Sequence, residues 1–263
     1  MNNDDISIKM SQRLITVAGM LSGESSESLK VADVGCDHGY VSMYLVQNGI
    51  AESAIAMDVR KGPLSGAASN ISEYGLSDRI ETRLSDGLKE LKKSEANALI
   101  IAGMGGKLME RLIDEGQIRE LGIKIAVFQP QSDILEFREF IRDKGFAITD
   151  EKVIFEDGKY YFPMRIEVSS DITDNKDNIF EQALETIFKD SGDISNEQKV
   201  RICNRYGECN LLKKEPLLIP FLEHGKEVLV SILKNLDDSH KERREAIEQE
   251  LSDISFALKI LDR

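Results

Sequence analysis

The sequence predicts an α/β protein: a doubly wound, mostly parallel sheet followed by a helical segment. Two observations point there. Between residues 29 and 145, five short apolar runs rich in Val, Ile and Ala alternate with stretches of helical spacing. Beyond residue 178 the pattern is helical throughout, and Ile247, Leu251, Ile254, Leu258 and Leu261 step by four and three.

In chain order, Ile8, Met10, Leu14, Ile15, Val17, Ala18 and Leu21 recur near the helical period, which predicts a leading helix over 7–21. "SGESSES" reads as a loop. "LKVADVG" is a strand ending in glycine, and "YVSMYLVQNG" is a helix stopped by Gly49. "SAIAMDV" is the second strand. "KGPLSGAASNISEYG" is a helix that tolerates Pro63 in its first turn, where an N–H has no partner to lose. "IETRLSD" and "ANALIIAG" are strands three and four, "KLMERLIDEG" a helix, "IKIAVFQP" strand five and "DILEFREFIRDKG" the next helix. "FAITDEKVIFEDGKYYFPMRIEV" reads as a hairpin turning at Asp157-Gly158, which puts a reversed strand at the sheet edge.

The polar, acidic stretch 168–178 marks a boundary, dividing the chain into 1–167 and 168–263. In the second part, Leu222, Leu229, Ile232 and Leu236, with Gly225 at one seam position, face the later seam across "DDSHKE", predicting an antiparallel helical hairpin of coiled-coil type.

Composition narrows the function. The chain has 263 residues, 41% of them hydrophobic, enough for a sizeable core. No run approaches ~20 apolar residues and no leader is evident, so the expectation is a cytoplasmic protein without a membrane span. Cys36, Cys203 and Cys209 lack C-x-x-C spacing, which predicts reduced thiols and no metal. A monomer is expected. Net charge is −13 and both parts carry more acid than base, so any nucleic-acid contact must use a local basic face.

Ligands of such a sheet sit beyond the carboxyl ends of the strands. The first such end reads Asp33-x-Gly35-x-Asp37-x-Gly39 rather than G-x-G-x-x-G. A diphosphate there would meet the Asp37 carboxylate, at a cost of roughly 4 kcal/mol for unit charges about 4 Å apart at an effective dielectric near 20. S-adenosylmethionine has no phosphate and carries a sulfonium and an ammonium against one carboxylate, so acids favour it. Gly35 lets backbone approach the methionine portion. Asp58, with Val59 beside it, stands where an acid takes ribose hydroxyls. Asp86-Gly87 could accept from the adenine amine, and Ala102-Gly103-Met104 closes over the sulfur. Singly, an Asp at a strand end is as often a helix cap as a ligand. Four such signals in order, each at a strand end, point to one cofactor site.

Together "SQRLITVA", "VADVGCDHGY", "MDVRKGPLSGA", "LSDGL", "ALIIAGMGG" and "FQPQSD" resemble the bacterial TrmK family of tRNA adenine-N1 methyltransferases over residues 9 to about 167. "NLLKKEPLLIPFLE" resembles the start of that family's C-terminal helical domain. The resemblance implies a Rossmann-like class I methyltransferase domain with a C-terminal coiled-coil domain. It implies methylation of the ring nitrogen of adenine 22 in tRNA, with S-adenosylhomocysteine as product. Gln131 stands where the family usually has Asn, and 168–214 is longer and more acidic than the family leads one to expect.

The chemistry suits a ring nitrogen. The Asn/Asp-Pro-Pro-aromatic motif of exocyclic-amine methyltransferases is absent, and "AGMGG" stands in its place. A ring nitrogen already offers a lone pair, and transfer creates a cationic base that a carboxylate would stabilise. Asp37 is the candidate, with binding of the cofactor ammonium as its other possible role. His38 could stack on the base, orient Asp37 or cap the following helix. Tyr40 could meet the extruded adenine or belong to the core. Arg13, Arg60, Lys61, Lys107 and Gln129 are candidate substrate contacts, with Arg138 and Arg142 further candidates for phosphate. The competing readings are a methyltransferase of another substrate, a non-catalytic cofactor-binding module and a NAD-linked oxidoreductase.

Overall fold

The computed structural model describes residues 5–23, 28–168, 176–192, 194–237 and 240–262. The predicted leading helix is two pieces. A 3-10 turn over Ile6–Lys9 precedes helix α1 (Gln12–Gly19). The break lies at Met10, which is extended, and at Ser11, whose hydroxyl accepts from the Leu14 N–H and so starts a new helix where the apolar period alone would run on.

The strands and helices alternate as expected through β1 (Lys30–Val34), α2 (Tyr40–Gln47), β2 (Ser53–Asp58), α3 (Lys61–Glu73), β3 (Ile80–Leu84), β4 (Ala98–Met104), α4 (Gly106–Gly116), β5 (Ile125–Pro130), α5 (Ile134–Asp143) and β6 (Ala147–Glu151). Then come β7 (Ile154–Glu156), β8 (Lys159–Tyr161) and β9 (Met164–Glu167). Seven strands form one sheet in the order β3-β2-β1-β4-β5-β9-β6. Pairing is parallel from β3 to β5, and β9 runs antiparallel to both neighbours.

The period-two alternation sorts the central strands between two cores. Val31, Ile100 and Val127 pack with α2 and α3 on one face. Ala32, Val34, Leu99, Ile101 and Phe128 pack with α4 and α5 on the other.

The expected edge hairpin takes a different form. Asp157 and Gly158 do make the turn, at φ +50° and +74°. Only the tip pairs locally, as the small sheet β7–β8. The longer arms enter the main sheet, where β9 slots between β5 and β6. The reversed strand is therefore second from the edge. Such a gap forms because β6 leaves α5 one strand-width beyond β5, and the returning chain fills it.

The remaining chain forms α6 (Lys176–Phe188), α7 (Asn196–Tyr206), α8 (Glu208–Lys213), α9 (Leu218–Asn235) and α10 (Lys241–Leu261). Most of the boundary at 168–178 and part of the turn at 237–242 lie outside the described residues. Helices α9 and α10 pack along the seam: Leu222, Leu229, Ile247, Ile254 and Leu261 are buried, with Leu251, Leu258, Ile232 and Leu236 against them. A side chain at Gly225 would start 3.7 Å from Ile254 Cδ1. The same core takes in α6, α7 and α8, so the hairpin is one part of a five-helix cluster.

Arg138 and Arg142, candidates for phosphate contact, are instead struts between sheet and helices. Arg138 is 0% exposed. Its Nε donates to Glu151 Oε1 at 2.7 Å, and its Nη1 donates to the carbonyl oxygens of Asn204 at 2.9 Å and Arg205 at 3.0 Å. Arg142 donates to the Asn204 side chain and to Glu208. Glu151 also accepts from the Cys209 N–H at 3.1 Å. Gly207 is required here, because at φ +87° a Cβ would lie 2.3 Å from Glu151 Oε2.

Candidate active site

Strand ends β1, β2 and β4 and the loop after β3 open onto one cavity of about 510 Å³, within the usual size of a small-ligand site. Asp33, Gly35, Asp37, His38, Tyr40, Asp58, Val59, Arg60, Asp86, Gly87, Ala102, Gly103, Met104 and Arg13 all line it. Lys61, Lys107 and Gln129 do not.

The loop after β1 is shaped by backbone. The N–H groups of Gly35 and Cys36 both donate to the Met57 carbonyl, at 2.8 and 3.0 Å, which bends the chain over β2. Gly35 sits at φ +80°, and a Cβ there would fall 2.4 Å from Met104 Cε. A side chain would strain the turn and push Met104 inward, so this pair defines a close cradle between the first and fourth strand ends. Asp37, at φ +49°, presents its side chain outward at 64% exposure. His38 Nε2 lies 3.8 Å from Asp37 Oδ2, too far for a hydrogen bond. The His38 and Tyr40 rings stack at 5.5 Å with planes 24° apart. Asn70 on α3 donates to the His38 carbonyl at 3.0 Å and pins the loop from outside.

Asp33 is buried and accepts from Ser42 Oγ at 2.7 Å. Burial pushes its carboxyl up to about 6, partly offset by Ser42, with a smaller upward push from the Asp58 charge. Asp58 is also buried; its Oδ1 accepts from the Arg60 N–H at 2.8 Å. Asp86 is more exposed, and its ion pair with Lys89 holds it below the usual carboxylate range. Burial raises the Cys36 thiol far above its ordinary value, so the thiol in this loop stays protonated and is no nucleophile.

The rim carries Arg13, at the start of α1. Its Nη1 donates to Gln129 Oε1 at 2.6 Å, its backbone N–H donates to Glu156 Oε2 at 2.9 Å, and its guanidinium lies 5.0 Å over the Tyr161 ring. Gln129 is fully buried at the end of β5, so it acts on the rim by holding Arg13. Lys107 is engaged with Glu110 on its own helix. Sequence reasoning passed over Ser42, Ser85, Leu108, Arg111 and the tip residues Glu156 and Tyr161. Ser42 carries the one readable signal, an apolar helix face with a hydroxyl nine residues after a strand-end acid. Ser85 donates to the Gly87 carbonyl at 2.7 Å and closes the loop after β3.

The donor set fits a cationic, phosphate-free ligand. Two buried carboxylates and two exposed ones face the space, and the cations stand toward its rim. Among the described residues no group of three or more His, Cys, Asp and Glu could hold a metal ion, and no helix is long and apolar enough to cross a membrane.

Comparison with known proteins agrees with this geometry. Residues 10–164 match a family described as a methyltransferase domain. The tRNA (adenine(22)-N(1))-methyltransferase of Bacillus subtilis is 36% identical over 154 residues, 59% of this chain and 63% of that enzyme. The sequence match thus spans less than two thirds of that enzyme's length. Among solved structures, the B. subtilis m1A22 tRNA methyltransferase TrmK aligns with a TM-score of 0.75 at 25% identity, covering 95% of this chain and 98% of that one. Streptococcus pneumoniae Sp1610 in complex with S-adenosyl-L-methionine gives 0.74 at 26% identity, covering 95% and 99%.

Proposed function

The chain belongs to the methyltransferase-domain family, and on that premise we propose that it transfers a methyl group from S-adenosylmethionine to the N1 nitrogen of an adenine in tRNA, at position 22. The observation that carries this reading is the convergence of Asp33, Asp37, Asp58 and Asp86 on one cavity whose fourth-strand wall is Ala102-Gly103-Met104. The segment itself carries no Asn or Asp for an exocyclic amine, and the Gln131 amide beside Gly103 lines the same cavity. The similarity to the B. subtilis enzyme supports the choice of tRNA and of the position.

S-adenosylmethionine supplies a methyl group made electrophilic by its sulfonium, and S-adenosylhomocysteine is left. The residues of this chain do the rest. Asp58 takes the ribose hydroxyls with the oxygen not held by Arg60. Asp33, set by Ser42, attracts the ammonium. Gly35 brings backbone against the methionine portion, and Val59 and Leu108 give the adenine apolar walls. Asp37 faces the incoming base and stabilises the positive charge that builds on it, through the amine next to N1. The stacked His38 and Tyr40 rings offer the extruded base an aromatic neighbour. Extrusion costs a few kcal/mol, and Arg13, Arg60 and Arg111 on the rim offset it through phosphate contacts. Residues 1–167 carry the chemistry, and 168–263 hold the body of the tRNA.

The test is nucleoside mass spectrometry of an unmodified tRNA transcript after reaction with methyl-labelled donor. Label in 1-methyladenosine, lost when adenine 22 is replaced, is the expected result. Label in another nucleoside, or none, rejects the reading.

A further inference from the structure

A second concavity opens toward the far end of α1 from the cavity rim. Thr16 and Gly19 of α1, with Met20 just after it, form one wall, and Asp150, Lys152 and Arg165 form the other. Most cations described above are spent on ion pairs. Lys152 and Arg165 are not: among the described residues neither side chain has a hydrogen-bonding or ionic partner, and Arg165 Nε is buried without an acceptor. Arg165 has an acid directly across the ladder, since Asp150 is its register partner. That carboxylate is ion-paired with Lys213 on α8 instead. The loop at Gly23 passes close to the guanidinium, within 3.6 Å of Nη2 for an added Cβ, and fixes its place without bonding to it.

A half-buried guanidinium with a donor unfilled among the described residues, next to an ammonium without a partner among them, in a chain of net charge −13, is a site for an anion. Its place identifies which one. Arg13 stands on the cavity rim at the start of α1, and Gly19 lines the concavity at the end of the same helix, about 9 Å along its axis. We infer that Lys152 and Arg165 form a second phosphate subsite, which binds the phosphodiester backbone of the RNA whose adenine enters the cavity. The inference rests on the tRNA reading above. It adds a track along α1 from Arg13 to Arg165, so that RNA lies across the β5–β9–β6 side of the sheet.

The experiment compares the full-length wild type, Lys152→Gln/Arg165→Gln, and the charge-retaining Lys152→Arg/Arg165→Lys. Fluorescence anisotropy of labelled unmodified tRNA is followed against salt, with donor binding and methylation measured on the same preparations. The neutral double variant is expected to bind tRNA about tenfold more weakly. Its plot of log affinity against log salt should be shallower by roughly 1.5 to 2, with donor affinity unchanged and the charge-retaining variant near wild type. An unchanged affinity and slope in the neutral variant, while the wild type methylates tRNA, overturns the subsite and leaves the proposed function standing. A shallower slope in a protein that makes no 1-methyladenosine keeps the subsite and rejects the function. A neutral variant that also loses donor affinity, with the charge-retaining one, overturns the inference by exposing a structural role.

Discussion

The Ser42 hydroxyl donates at 2.7 Å to Oδ2 of buried Asp33, so a helix residue fixes the acid at the end of the first strand. Burial raises that acid to about 6 from an ordinary 3.8. Donor affinity should therefore climb about tenfold between pH 5 and 7 as Asp33 becomes charged, and level off above. Stability runs the other way. Between about 3.8 and 6 the folded protein holds this proton more tightly than the unfolded chain, so stability falls across that window as pH rises, by up to about 3 kcal/mol, and is flat above it. Asp33→Asn should remove both dependences. Calorimetric titration with donor and thermal unfolding across pH 4–8 check this, and an Asn variant that keeps the wild-type slopes would refute it.

Asp37 and Asp58 face one cavity with opposite exposure, and their substitutions should separate. Asp37→Asn keeps a residue that tolerates the φ of +49°. It is expected to lower single-turnover methylation by about 10²- to 10³-fold, with donor affinity within a few fold of wild type. Asp58→Asn should weaken donor binding at least tenfold and leave turnover at saturating donor nearly intact. Equal losses in both constants for either variant would contradict the division of roles.

The buried Gln129 holds Arg13 at the cavity rim. With Gln129→Leu, Arg13 loses an acceptor and is drawn toward Glu156 alone. The KM for tRNA should rise about fivefold to tenfold, in keeping with roughly 1 to 1.5 kcal/mol for one such hydrogen bond, with kcat and donor affinity unchanged. Gln129→Glu should restore the KM, since an acceptor is returned. Steady-state kinetics at fixed salt decide it.

Arg138 and Glu151 are both essentially unexposed, at 0% and 1%. Removing one leaves a buried charge unpaired, so Glu151→Ala should destabilise by about 3 to 5 kcal/mol. The double change Arg138→Met/Glu151→Ala should cost less than the two single changes added. Urea unfolding monitored by fluorescence and by circular dichroism measures the coupling, and simple additivity would show that the pair does not act as a unit.

The parts of this molecule that could be read from sequence are those set by local pattern. Strands β1 and β2 declare themselves as apolar runs that reach an acid, Asp33 or Asp58, at their carboxyl ends, β3 is followed by Asp86 in its loop, and the fold then brings these ends together. Asp157-Gly158 specifies its turn by backbone preference alone. What failed depends on partners far along the chain. Arg138 and Arg142 look on their helix like surface cations, because their acceptors, Glu151, Asn204 and Glu208, lie on other elements. The insertion of β9 between β5 and β6 is a choice of pairing partner that alternation cannot encode. The Gln129–Arg13 bond spans 116 residues and leaves no local trace.

Gly207 leaves no room for a side chain against Glu151, and this constrains how the protein could be recombined. Anyone swapping the helical part for that of a relative must carry a glycine at this seam and an arginine–glutamate pair beneath it. A chimera lacking either would mis-seat its new half before any question of specificity arose.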